Sequence, residues 1–358
     1  MATTATAPTN IAVLKYWGKN PAFEELMIPT KSSLSFTVDG LFTKTTVEAK
    51  KRAGGATKPG ISFMLNGKKH APADREHRYV ADFVAKVGMH HPAIDGYDYR
   101  IESENNFPTA AGYASSASGF AALIKAMSGE VPELSAIRED DQKLSALARL
   151  GSGSATRSIP SRGGFVVWER GVGYPPASSD TPKKAMERSV ARTLFPPEHW
   201  PELSIIYAKV RAEEKKVKSR AGMKASVETN PIYNAWVDFE EKKMRPEMEA
   251  AVSKKDFPAL AEKIMMASNN LHQICLGTYP PIAYLNETSF RIIEAAHEMN
   301  AGTLKAAYTF DAGPNAVLFS LKKDESRLVS ALSSIVGRES LHISRMGAGA
   351  AFSQDHLF

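Results

Sequence analysis

Asn105-Asn106-Phe107-Pro108-Thr109-Ala110-Ala111-Gly112-Tyr113-Ala114-Ser115-Ser116-Ala117-Ser118-Gly119 is the segment on which the fold turns. Before it, Tyr97 to Ser103 reads as a strand; after it, a helix is expected from about Ser115, with Phe120, Leu123, Ile124 and Met127 on one face. Small residues between the two let the backbone approach an anion closely, and the first-turn N–H groups, with the helix dipole, point at it. The loop lacks both the Gly-Lys-Ser ending of a Walker A loop and the three-glycine spacing of a Rossmann fingerprint. The alternative is a helix start crowded for steric reasons alone. Ser115 and Ser116 weigh against that, since hydroxyls there can meet Mg²⁺ or a phosphate oxygen.

Working outward, Ile11 to Tyr16 reads as a strand, as does Ser33 to Val38 continuing into Phe42 to Val47, and Val47 to Phe63 reads as a solvated loop. Phe63 to Leu65, followed by Asn66-Gly67, is a strand entering a hairpin turn. Arg75 to Val87 and Gln142 to Leu150 have helical apolar spacing, and Gly151 is placed to stop the second. Phe165 to Trp168 reads as a strand. Gly171 to Pro201, rich in Pro, Ser and Lys, marks the expected boundary between two lobes, residues 1–195 and 196–358. Beyond it come a strand at Leu203 to Val210 and a basic segment at Lys215 to Lys224. A helix capped by Asp256 follows, then another over Thr288 to Met299. Ala306 to Phe310 and Ala316 to Leu321 read as strands joined by Asp311-Ala312-Gly313-Pro314-Asn315, and Leu328 to Ile335 as a last short helix. The pattern is α+β in both lobes.

The 358 residues, 43% hydrophobic and 23% charged, suit a globular enzyme and exclude fibrous or disordered classes. No stretch has the roughly 18 apolar residues of a membrane span, and Met1 to Thr9 has neither a basic nor an apolar leader pattern. A cytoplasmic protein with no membrane partner is expected. Cys275, the single cysteine, excludes an intrachain disulfide and reads as a buried thiol. The net charge of +6 suits either nucleic acid or small anions, and only its placement can decide. His90-His91 lies in a loop, and no metal-binding histidine spacing occurs.

The stretch from Pro108 to Ala117 resembles the phosphate loop of the GHMP kinases, in the form used by diphosphomevalonate decarboxylases. Three further segments carry the same resemblance in the same order: Asn10 to Lys19, Gly151 to Ser158, and Ala307 to Ala316. Together they span about Ala7 to Leu321. The resemblance implies the two-lobed GHMP fold, with an N-terminal lobe like ribosomal protein S5 domain 2 and a ferredoxin-like α+β C-terminal lobe. It implies ATP- and Mg²⁺-dependent phosphorylation of the tertiary 3-hydroxyl of mevalonate 5-diphosphate. That phosphate then leaves as CO₂ departs, giving isopentenyl diphosphate. A homodimer acting on a small molecule, with no nucleic-acid partner, goes with it.

By the same resemblance Asp311 is the catalytic aspartate, Lys15 the lysine beside it, and Arg157 the grip on a carboxylate or phosphate. Tyr16, Lys19, Ser152, Ser154, Ser219 and Arg220 match positions that hold the 5-phosphoryl end. Pro108, Ala110, Gly112, Ala114, Ser115 and Ser116 match the nucleotide-phosphate loop, with Ser115 the candidate for Mg²⁺. Taken singly, each has a plainer reading: turn chemistry for Asp311, solvated edges for Lys15 and Lys19, a helix-end cation for Arg157.

Three departures from the family pattern each add a cation: Lys31 where Asn is common, Lys218 before Ser219-Arg220, and Arg162 in an insertion before Gly163-Gly164. A more positive site could hold differently arranged phosphates. The alternatives are mevalonate 5-phosphate with ATP, or mevalonate 3,5-bisphosphate, for which ATP is not needed. The intact loop argues for retained ATP binding, and the simpler expectation is that the added cations face solvent. A GHMP kinase that stops after phosphorylation is a more distant reading.

Overall fold

The apolar runs of the sequence build two sheets, which the computed structural model describes over residues 2–52, 58–107, 115–210 and 217–358. The elements of the first part are β1 (Thr3–Leu14), β2 (Ser33–Lys51), β3 (Ile61–Leu65), β4 (Lys68–His70), α1 (Arg75–His90), β5 (Tyr97–Asn105), α2 (Ser115–Glu130), α3 (Asp141–Gly151), β6 (Phe165–Trp168), α4 (Pro182–Arg188) and β7 (Ala191–Phe195). There follow β8 (Leu203–Ala208), α5 (Ser219–Thr229), α6 (Tyr233–Phe239), α7 (Arg245–Lys254), α8 (Phe257–Leu276), α9 (Glu287–Met299), β9 (Ala306–Phe310), β10 (Ala316–Leu321), α10 (Lys322–Val336), β11 (Leu341–Ser344) and β12 (Ala351–Ser353).

The larger sheet runs β12-β1-β2-β5-β3-β4, with β6 on β2 and β7 on β6. β2 organises it: Ser33 to Phe36 pair with β6, Thr43 to Lys51 with β5, and β1 lies antiparallel along the other side. The expected run from Ser33 to Val38 into Phe42 to Val47 forms as one strand. Gly40, at φ 73°, is a left-handed kink, yet the ladder continues because both flanks have partners. The expected loop after Val47 begins later, since β2 continues to Lys51. Helices α1, α2 and α3 cover one face, where Phe83, Val84, Leu123, Met127, Leu144 and Leu147 pack with Tyr99 and Ile101.

The smaller sheet, β11-β8-β10-β9, is antiparallel throughout. Its strands β9 and β10 lie where their short β-rich runs predict. Asp256 caps α8 by accepting from the Ala259 N–H at 3.1 Å. Helix α10 starts six residues before the expected Leu328, because its first turns are polar and carry no apolar signal. A one-turn π-helix, Glu240–Met244, joins α6 to α7. The last strand leaves the smaller sheet: Ala351 to Ser353 pair with Thr4 to Thr6 of β1. Among the described residues no helix is long and apolar enough to cross a membrane.

The two sheets share a core. Leu34, Phe36 and Phe165 of the larger sheet form one cluster with Ile206, Leu318 and Phe319 of the smaller. The Phe36 ring lies 4.9 Å from Phe165 and 5.4 Å from Phe319. Polar groups reinforce the junction: Ser32 donates its N–H and hydroxyl to Glu241 at 2.7 and 2.9 Å. Arg245 then links Glu241 at 3.0 Å to Glu169 at 2.6 Å. Phe36→Ala should therefore destabilise both lobes together, by about 3–5 kcal/mol in denaturant unfolding followed by tryptophan fluorescence. Two separate transitions would contradict a shared core.

Candidate active site

A register shift between Ala12 and Leu14 ends β1, and Lys15 follows at once. Its side chain turns inward, 1% exposed, and Nζ meets Asp311 Oδ1 at 2.7 Å. Asp311 closes β9 from the other lobe; its side chain is half exposed, so the pair has one dry and one open end. Burial holds the Lys15 pKa below the ordinary lysine value; Asp311 opposes that, while Arg157 and Lys31 push it further down.

Arg157 sits in the 3₁₀ turn Gly153–Ser158, buried rather than at an exposed helix end. Its Nε donates to Asn10 Oδ1 at 3.1 Å and Nη1 to Ser33 Oγ at 2.8 Å. Asn10 in turn donates to Ser158 Oγ at 2.8 Å, which fixes the turn against β1. Burial pulls the guanidinium down to about 10, with Asp311 and Tyr16 opposing.

Tyr16 lies against Trp168, ring centroids 4.8 Å apart. A Cβ on Gly153 would fall 2.7 Å from the Tyr16 ring, so this glycine is required for the contact. Among the described residues the buried Tyr16 hydroxyl meets no hydrogen-bond partner. Ser152 Oγ lies 3.3 Å from Ser116 Oγ and 3.0 Å from Ser154 Oγ, which brings the start of α2 and the 152–154 turn together. Arg220, beside Ser219 in the first turn of α5, donates to the Gly151 carbonyl at 3.2 Å. Lys19 points toward Glu24 at 3.7 Å, and burial, with Arg220 adding to it, lowers its pKa. Gly18 holds the segment in place: at φ 119° any Cβ would collide with Tyr233, whose hydroxyl donates to the Trp17 carbonyl at 2.5 Å.

The structure therefore joins Lys15, Asp311 and Arg157 in one group, and Tyr16, Ser116, Ser152, Ser154 and Arg220 in a second beside it. Ser115 opens α2. Pro108, Ala110, Gly112 and Ala114 lie outside the described residues. Of the three added cations, Arg162 and Lys218 are exposed, as expected. Lys31 is not: it is 1% exposed and meets Glu240 Oε2 at 3.1 Å, because a carboxylate buried in the second lobe waits for it.

Sequence reasoning missed two other groups. Arg149 is fully buried in α3 and bonds the carbonyls of Leu26 and Ser189; burial pulls it down to about 9. It occupies a core position of an amphipathic helix, where a cation carries no periodic signal. His272, within the apolar stripe of α8, sits edge-on to Phe310 at 6.2 Å. Burial and the neighbouring Lys15 bring it down to about 4, so it is neutral.

Around the site Lys15, Lys31, Arg149 and Arg157 are buried cations; Glu240 balances Lys31 and the half-exposed Asp311 meets Lys15, while Arg149 and Arg157 are held by neutral oxygens. Such an excess fits a polyanionic ligand. The hydroxyls of Ser115, Ser116, Ser152 and Ser154 are hard oxygen donors at and beside a helix N-terminus, a set that suits a nucleotide phosphate carrying Mg²⁺.

Comparison with known proteins follows the same lines. A family model for the diphosphomevalonate decarboxylase-like N-terminal domain matches residues 7–180, and one for the mevalonate 5-diphosphate decarboxylase C-terminal domain matches 205–352. The diphosphomevalonate decarboxylase of Homo sapiens is 40% identical over 344 residues, 92% of this chain and 80% of its own. That of Candida albicans is 39% identical, over 91% of this chain and 86% of its own. The mevalonate diphosphate decarboxylase from Staphylococcus aureus superposes with a TM-score of 0.85 at 32% identity, covering 99% of this chain and 98% of its own. A solved structure described as MDDEF in complex with MVAPP, AMPPCP and magnesium gives 0.83 at 34%, covering 99% of each chain.

The electrostatics can be checked directly. In a ¹³C-lysine NMR titration Lys15 should titrate below the ordinary lysine value, and lower still in Asp311→Asn, which removes the group that raises it. A Lys15 titrating with the surface lysines would contradict its burial.

Proposed function

The chain belongs to the diphosphomevalonate decarboxylase family, and from that premise we propose how its own residues carry the reaction. It is an ATP-dependent decarboxylase of mevalonate 5-diphosphate, releasing isopentenyl diphosphate, CO₂, ADP and phosphate. The observation that carries the assignment of roles is the ion pair of buried Lys15 with half-exposed Asp311, beside Arg157.

Asp311 orients the tertiary 3-hydroxyl and takes its proton as the γ-phosphoryl group arrives. Its open end is where a substrate hydroxyl can reach it; its dry end is held by Lys15. Lys15 donates to the carboxylate, fixing its position, and contributes positive charge to the transferring phosphoryl group. The C3–O bond then breaks with phosphate as leaving group. The electrons of the bond from the carboxylate carbon to C2 form the C2–C3 double bond, and CO₂ departs. Arg157, fixed by Asn10 and Ser33, holds the carboxylate or the departing phosphate. Tyr16, Ser152, Ser154, Ser219, Arg220 and Lys19 bind the 5-diphosphate. Pro108, Ala110, Gly112, Ala114, Ser115 and Ser116 bind the nucleotide phosphates, with Ser115 toward Mg²⁺, which when bound neutralises phosphate charge. The same reading takes residues 1–195 and 196–358 as the two lobes and the enzyme as a cytoplasmic homodimer; the single cysteine supports the compartment.

The pairing of Lys31 with Glu240 removes one reason to expect a substrate with differently placed phosphates. Turnover of mevalonate 5-diphosphate, 5-phosphate and 3,5-bisphosphate, each with and without Mg-ATP, should give CO₂ and ADP together from the diphosphate alone. CO₂ from the bisphosphate without ATP would overturn that. Asp311→Asn should lower kcat by at least roughly 10²-fold while the fold survives, as circular dichroism would record. Near-normal turnover would remove Asp311 from its role.

A further inference from the structure

We infer that Lys31 is a positioning residue for the reaction: from its buried ion pair with Glu240 it fixes the backbone at Lys15. The inference rests on the role proposed for Lys15. Lys31 precedes β2, and its ammonium donates to the Lys15 carbonyl oxygen, reaches Glu240 Oε2 at 3.1 Å and lies 4.7 Å over the Trp236 ring. Glu240 is fully buried, and its other oxygen accepts from Asn270 at 3.2 Å.

The local geometry of the second lobe serves this contact. Glu240 and Glu241 open the π-helix between α6 and α7, and these consecutive carboxylates meet consecutive residues of the other lobe, Lys31 and Ser32. One π-turn thus grips the strand entrance twice. π-turns of this kind recur at functional sites.

Burying both ions is costly, and an apolar pair of the same size would pack as well or better. What an apolar pair cannot do is donate a hydrogen bond to the Lys15 carbonyl. That bond sets where the Lys15 stem begins, and hence where its ammonium meets Asp311. Displacements of about 1 Å at a reacting group are worth about 10²-fold in rate.

The experiment separates anchoring from packing. Lys31→Met, Glu240→Gln and the double variant are assayed in the full-length protein for kcat, for KM toward mevalonate 5-diphosphate and ATP, and for Tm. Lys31→Met alone strands a buried carboxylate and can fail to fold, so the double variant decides. It should recover Tm because no buried charge is left unpaired, yet keep a kcat roughly 10- to 10²-fold down, with each KM within about threefold of the parent. Glu240→Gln leaves the bond from Lys31 to Lys15 in place, so it should lose less kcat than the double variant at a lower Tm. If kcat follows Tm across the three variants, Lys31 serves only packing and the inference is overturned. Lys15→Met is the reference. Should it turn over normally, the role of Lys15 itself fails; should it be inactive while the double variant is fully active, only the role of Lys31 fails.

Discussion

An ammonium group taken out of water needs a partner, and Lys15 finds its carboxylate at the far end of the sequence. The separation from Asp311 is 296 residues, and the two side chains approach from different sheets. Neither lobe alone can complete the pair. The shared core around Phe36 holds the sheets at the spacing that brings the two groups to 2.7 Å. Packing is therefore part of the chemistry: it dries one side of Asp311 and leaves the other open to a hydroxyl.

Electrostatics then sort the neighbouring groups. Burial penalises each cation, and in a water-filled cleft the same charges would bind phosphate weakly. Arg157 is tied through two nitrogens to neutral oxygens, which position it without neutralising it. Arg149 is likewise satisfied by carbonyls, so its charge remains available to the field near Tyr16. Lys31 behaves differently, because Glu240 balances it. Three buried cations that look alike by type therefore do two kinds of work.

How much of this could be read beforehand depended on the range of each interaction. β9, β10 and the cap of α8 are short-range features, and runs of a few residues suffice to place them. The helix start at Ser115 follows from the same local logic. Glu48 to Lys51 reads as loop because the run is mostly charged, and only its partner β5 carries β2 through it. Lys31 read as solvated for an equivalent reason: nothing within its own segment announces Glu240, 209 residues away. Most of the expected site residues lie in four ordered motifs, with Ser219 and Arg220 outside them, whereas His272 and Arg149 lie within helices whose apolar pattern hides them.

The pairing of β12 with β1 has a bearing on how the chain is made. The outer edge of β1 at Thr4 to Thr6 is closed by residues 351–353, which are made after every other strand of the two sheets. Until β12 is made, that edge presents unpaired backbone groups, the template on which strands of other chains can add. The closing strand thus acts as a late seal, and a nascent chain is most exposed to misassociation just before it arrives.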